Sequence, residues 1–326
     1  MPAKLIARLL APLVLLLALF APMPASAVTI TLGPSAMQLS PGGPYSQARN
    51  AAVGTVIATA TSSISVLGLS GTCSLTAIFL SASPASGNTY TTGVAGLGVN
   101  LYYIIGGTKT QITPGLGLNL PVTPANPGPI TIEADLIVTG PVASGSLTAL
   151  PNVTVTFAAL GLGCGVLNLT AQTFYVTATT PTVSALSCTV SLPTLTVTLP
   201  TVSTQTLTAS GLTGGATNFT LLLNCNGTGT GIYVTLTDAT LVSNTSTLLS
   251  LTPLSTATNV KLQILNSSGS AVSYGPDSAS IGALNQWFVG SSSAASNIPM
   301  VVQYYATGAA TAGSVSALAT FTLSYQ

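Results

Sequence analysis

Glu133 and Asp135 are the only two carboxylates in this chain that sit close together in sequence. Two residues apart in an extended strand, they share one face, opposite Ile132, Ala134 and Leu136. Paired carboxylates are the acid–base equipment of glycoside hydrolysis, which also demands a pocket and a shifted pKa. A solvated strand face explains the pair without chemistry, and contact with a ligand is the functional alternative. Tyr102-Tyr103 stands just ahead of Ile104-Ile105-Gly106-Gly107. Adjacent strand residues point to opposite faces, so one tyrosine belongs to a core and the other is free to meet a ligand at low entropic cost. Histidine is absent from the whole sequence, which removes imidazole acid–base chemistry and imidazole metal sites. No serine motif stands near Lys109 or Lys261. The expectation is a protein with no catalytic residue, no metal and no cofactor.

The elements that must position these residues are β-strands. Charged residues are 3% of the 326 and hydrophobic residues 47%, with a mean hydropathy of +0.67. Disordered chains pair low hydrophobicity with high charge, the opposite of this composition. Five Lys and Arg scattered along the chain cannot form the basic footprint of a nucleic-acid binder. Period-2 alternation dominates, as in Thr194-Leu195-Thr196-Val197-Thr198-Leu199, Tyr233-Val234-Thr235-Leu236-Thr237 and Val153-Thr154-Val155-Thr156-Phe157. Such runs fit pleated sheets with one buried face. Clusters of Gly, Pro, Asn and Ser, such as Ser40-Pro41-Gly42-Gly43-Pro44, punctuate them. The fold class is all-β, built from sandwiches. An outer-membrane barrel would need aromatic girdles at both interfaces, and the aromatic residues here are not banded.

Residues 1–27 read as an export signal. Lys4 and Arg8 precede the apolar run Leu9 to Phe20, and Ala25-Ser26-Ala27 supplies a small-x-small cleavage site. The mature chain then starts at Val28 and keeps Arg49, Lys109 and Lys261 against Glu133, Asp135, Asp238 and Asp277. Export into an oxidising compartment fits an even cysteine count. Thr177-Ala178-Thr179-Thr180-Pro181-Thr182 reads as an extended boundary segment, since proline removes a ladder donor. The expected division is residues 28–182, a linker at 183–187, and residues 188–326. Two cysteines fall on each side, and pairing Cys73 with Cys164 and Cys188 with Cys225 is the one connectivity that leaves two independently folding units. Trp287 is expected in core or inter-domain packing, and Arg49 in a solvated loop.

The segment from Cys188 to Gln326 resembles a chaperone–usher pilin domain. The resemblance is carried by Cys188-Thr-Val, Leu199-Pro200, Gly211-Leu212-Thr213 and Phe219-Thr-Leu-Leu-Leu-Asn-Cys225. It continues through Val260 to Leu265, Gly269, Val272-Ser273-Tyr274-Gly275 and Val301 to Ala306. At the end, Gly313 and the alternating Val315, Ala317, Ala319, Phe321, Leu323 and Tyr325 match the family's penultimate tyrosine and the glycine fourteen residues from its end. The family implies an incomplete immunoglobulin-like sandwich lacking its last strand. A periplasmic chaperone, and later the next fimbrial subunit at an outer-membrane usher, would supply that strand by β-augmentation. The row from Gly313 to Tyr325 would be one wall of the receiving groove.

A whole domain precedes Cys188 in place of a free donor segment, an arrangement that resembles a two-domain tip adhesin. Thr89 to Val99, and Ile132 to Gly140 followed by Ser144-Gly145-Ser146-Leu147, are similar to motifs of such adhesin domains. The resemblance implies a surface-exposed fimbrial protein whose first domain binds a host glycan, a protein or an abiotic surface. Tyr102, Tyr103, Glu133 and Asp135 are its candidate contacts. The alternative reading is a structural subunit or assembly initiator with no receptor of its own.

Overall fold

A computed structural model describes residues 28–80, 85–113, 117–120, 122–124, 128–160, 164, 169–293 and 295–326, so the expected signal at 1–27 lies outside the described residues. The chain is all-β, in two sandwiches with separate apolar cores. The first core gathers residues from Val28 to Ala185, and the second residues from Leu221 to Tyr325.

Alternation becomes sheet directly. In Val56–Leu67, Ala58, Ala60, Ser62, Ile64 and Val66 are buried while their odd-numbered neighbours Thr61, Ser63 and Ser65 are exposed. This strand pairs with Ile130–Val138, which pairs in turn with Leu97–Ile105, at the centre of a seven-stranded sheet. Ile130, Ile132, Ala134, Leu136 and Val138 all face inward from the middle strand. Opposing them is a five-stranded sheet ordered Gly117–Leu120, Ser74–Leu80, Asn152–Leu160, Leu169–Thr177 and Ala36–Gln38. Its inward row includes Leu75, Phe79, Val155, Phe157 and Phe174. Burial of one such side chain stabilises the fold by about 1.5–3 kcal/mol, so this face outweighs local strand propensity. Cys73 and Cys164 are bonded to each other, as are Cys188 and Cys225.

The expected linker holds a strand instead. Thr182–Leu186 pairs in parallel with Tyr45–Ala48, and Val183 and Ala185 are buried in the first core. Proline at 181 does not prevent this, because a strand's first residues need not donate to the ladder. Ser187 alone separates that strand from Cys188–Val190.

The second sandwich faces a four-stranded sheet with a three-stranded one. The first is ordered Cys188–Val190, Thr213–Cys225, Ala295–Ala306 and Val260–Leu265; the second is ordered Gln286–Ser291, Gly231–Asp238 and Ala319–Tyr325. Cys188 lies opposite Cys225 in the ladder, so the disulfide cross-links neighbouring strands. Among the described residues, Ala319–Tyr325 pairs along its length with Gly231–Asp238 and with no strand on its other side. The run 194–199, whose alternation predicts a strand, stays outside every ladder. Alternation prepares a face for burial, but a ladder also needs a partner edge.

Candidate functional site

The last strand exposes a usable edge. Gln326 and Gly231 exchange both main-chain hydrogen bonds, at 2.8 and 3.0 Å. Antiparallel pairing alternates, so the even-numbered residues of the strand spend their N–H and C=O groups on Gly231–Asp238. The odd-numbered Ala319, Phe321 and Leu323 turn theirs toward the free side. Their side chains point inward, because side chains repeat every two residues.

Beside this edge runs an apolar groove of about 580 Å³. Ala317, Ala319 and Phe321 form one wall, and Leu195, Val197 and Leu199 from the unpaired run form the other. The floor includes Leu221, Leu236, Leu262 and Met300 from both sheets. Among the described residues, the lining holds no charged side chain. An open groove of this kind exposes core surface at about 25 cal/mol per Å² and leaves edge donors and acceptors unmatched. A strand with alternating apolar side chains would satisfy both needs at once.

The structure distributes the row expected from sequence. Ala317, Ala319 and Phe321 line the groove, while Val315, Leu323 and Tyr325 pack on the same core beside it. Gly313 lies apart, against the turn at Thr256 and Ala257. A Cβ there would come within 2.4 Å of the Ala257 nitrogen, so the position excludes any side chain. The wall of Leu195, Val197 and Leu199 was not foreseen as groove, although its alternation was plain.

At the far end of the floor, Asp238 is fully buried and accepts four hydrogen bonds. The Thr240 and Leu241 N–H groups reach Oδ1 at 2.9 and 3.0 Å, and Asn244 Nδ2 and the Ser250 N–H reach Oδ2 at 2.8 and 2.9 Å. Burial alone would raise its pKa, yet these donors outweigh it and hold the carboxyl below its usual value. The loop so pinned carries Leu249 into the groove lining.

The second candidate lies on the outer face of the first sandwich. Glu133 stands opposite Tyr102 in the ladder, and Asp135 opposite both Asn100 and Thr59. Lys109 Nζ, on the neighbouring strand Thr108–Gln111, is 2.5 Å from Glu133 Oε1 and 2.5 Å from Asp135 Oδ2. It also sits 4.1 Å from the centre of the Tyr102 ring. Thr59 Oγ1 donates to Asp135 Oδ1 at 2.9 Å, and Asp135 is only 3% exposed. Partial burial opposes the Lys109 charge, but the hydrogen bonds and charges of Asp135 and Glu133 prevail and raise its pKa. Lys109 thus bridges the two carboxylates and ties both of them into one ion-pair cluster. Tyr103 packs against the first core. Trp287, in the second sandwich, packs against the second core.

Comparison with known proteins adds three observations. Residues 174–326 match the family described as Fimbrial protein. The F17c-G and F17d-G fimbrial adhesins of Escherichia coli are each 41% identical over 109 residues. Those residues are 32% of this chain and 32% and 31% of the relatives, so the chain spans about a third of the length of the curated relatives it matches. Among solved structures, the CupB6 tip adhesin from Pseudomonas aeruginosa is 13% identical with a TM-score of 0.38, covering 91% of this chain and 93% of that one. The P pilus rod subunit PapA is 17% identical with a TM-score of 0.33, covering 43% of this chain and 99% of that one.

Proposed function

We propose that the chain, whose residues 174–326 match the Fimbrial protein family, is a two-unit fimbrial tip adhesin of the chaperone–usher class that accepts a strand from another protein. One observation carries this reading: a charge-free apolar groove running beside the unpaired edge of Ala319–Tyr325. The row Gly313, Val315, Ala317, Ala319, Phe321, Leu323 and Tyr325 is assigned to that acceptor site, as wall, flank and closing turn. A periplasmic pilus chaperone occupies it first. At the outer-membrane usher the donor segment of the next subunit replaces the chaperone strand, and the protein reaches the cell surface on the fimbrium.

Residues 28–182 are assigned to receptor contact, with Thr182–Leu186 completing that sandwich. The outer face carrying the half-buried Tyr102 and Glu133, with the nearly buried Asp135 beneath them, is the proposed contact surface for a host glycan, a protein or an abiotic surface. Tyr103 supports it from the core side. The closed Lys109–Glu133–Asp135 cluster favours a second reading, a structural subunit or assembly initiator without a receptor.

The test is periplasmic production of residues 28–326 with and without a pilus chaperone. A soluble complex with the chaperone, and aggregation or proteolysis without it, is the expected result. A stable soluble monomer with no strand partner would overturn the acceptor reading. The purified complex is then screened on glycan arrays and on hydrophobic and hydrophilic plates. Silence on all of them favours the initiator.

A further inference from the structure

The free edge of the last strand is open along most of its length but closed at its end. The Asn50 N–H donates to the Tyr325 main-chain oxygen at 2.9 Å, and the Tyr325 N–H donates to Asn50 Oδ1 at 3.2 Å. Tyr325 shares the parity of Leu323 and Phe321, so these are the groups it would offer to an incoming strand. A residue of the first sandwich already takes both of them. Asn50 is itself fixed from two sides. The Arg49 N–H donates to the Leu186 oxygen at 3.1 Å, the Arg49 oxygen accepts from the Val142 N–H at 2.8 Å, and the Ala51 N–H closes a turn onto the Ala48 oxygen at 3.1 Å.

We propose that Asn50 is a stop for the donated strand: the first sandwich caps the acceptor edge at Tyr325, so an added strand pairs with Phe321 and Leu323 and ends there. This rests on the acceptor reading above and adds its boundary. The acceptor site is then built from both halves of the chain. An Asx side chain suits the task because its amide oxygen lies at the distance of a strand carbonyl while its own N–H continues the ladder.

The experiment uses residues 28–326 refolded with a saturating synthetic peptide of alternating valine and threonine, and reads individual amide exchange. With a peptide too short to reach Tyr325, the Phe321, Leu323 and Tyr325 amides of the wild type should all be protected. In Asn50→Ala, the Tyr325 amide should exchange roughly tenfold faster while Phe321 and Leu323 stay protected. Asn50→Asp keeps the acceptor oxygen and should restore protection, which separates loss of the cap from misfolding. Lengthening the peptide by one ladder step should re-protect Tyr325 in Asn50→Ala and change nothing in the wild type. Unchanged Tyr325 exchange in Asn50→Ala with the short peptide would overturn the stop and leave the acceptor reading standing. Absence of peptide protection at Phe321 and Leu323 would overturn the acceptor reading, and the stop with it.

Discussion

The Tyr325 hydroxyl donates to the Cys188 main-chain oxygen at 2.7 Å. The penultimate residue of the chain is thereby tied to the residue that opens the second sandwich and carries its disulfide. Removing the hydroxyl in Tyr325→Phe keeps the ring in the core but leaves a carbonyl without its donor, a loss of about 1 kcal/mol. Chemical denaturation of the strand-complemented chain should show this as a lower midpoint with an unchanged slope. Equal midpoints would mean that water replaces the hydroxyl without cost.

Phe321 is the largest side chain of the last strand on the groove wall. In Phe321→Asp a charge enters the apolar register, and burial of an unpaired carboxylate costs several kcal/mol. Chaperone co-purification should fall to background. Ser268→Asp, in an exposed turn, should co-purify like the wild type. Capture of Phe321→Asp at the wild-type level would rule out strand entry along this wall.

Much of this was legible in the residues because period 2 is a local property. Val153 to Phe157 alternates in sequence and in burial, and within-half cysteine pairing followed from the boundary near Pro181. Long-range pairing was less legible. Thr194 to Leu199 alternates as cleanly but joins no ladder among the described residues, because alternation says nothing about which edge lies beside it. Thr182–Leu186 was hidden by its proline and found its partner more than a hundred residues upstream, at Tyr45–Ala48. Lys109 was weighed only as a partner for a serine, and its ion pairs with Glu133 and Asp135 depend on the strand pairing that sets Thr108–Gln111 beside Leu97–Ile105 and that strand beside Ile130–Val138. Asn50 had no sequence signal at all. Its role depends on how the two sandwiches meet.

Lys109→Met tests the outer-face cluster. The substitution keeps most of the aliphatic stem and removes the cation that, among the described residues, pairs with Glu133 and the nearly buried Asp135. Stability near neutral pH should fall by about 1–3 kcal/mol, the usual cost of leaving a buried polar group unmatched. Urea denaturation of the variant beside the wild type provides the comparison, and equal midpoints would show that Lys109 adds nothing to the fold. If receptor binding, once found, survives Lys109→Met, Glu133→Gln and Asp135→Asn together, the contact face lies elsewhere.

Stability against pH should show a broad plateau with two distinct flanks. The chain has no histidine, so no side chain of ordinary pKa titrates between about pH 5 and 8. On the acid side, Asp238 has a folded pKa below its unfolded value of 3.8, so the folded state binds fewer protons than the unfolded state as pH drops. Its contribution is complete above the unfolded value and disappears as pH falls through the depressed one. On the alkaline side, burial raises Tyr45, Tyr274, Tyr304 and Tyr325 above their usual value of 10.0. The unfolded chain then loses phenolic protons first, so their contribution is complete below 10.0 and declines as pH rises beyond it. Asp238→Asn removes the charge that four donors surround. It should lower the plateau by about 2 kcal/mol and flatten the acid flank while leaving the alkaline flank in place. Equilibrium denaturation of the strand-complemented chain across this pH range decides the matter. An acid flank of wild-type steepness in Asp238→Asn would transfer the effect to other carboxylates.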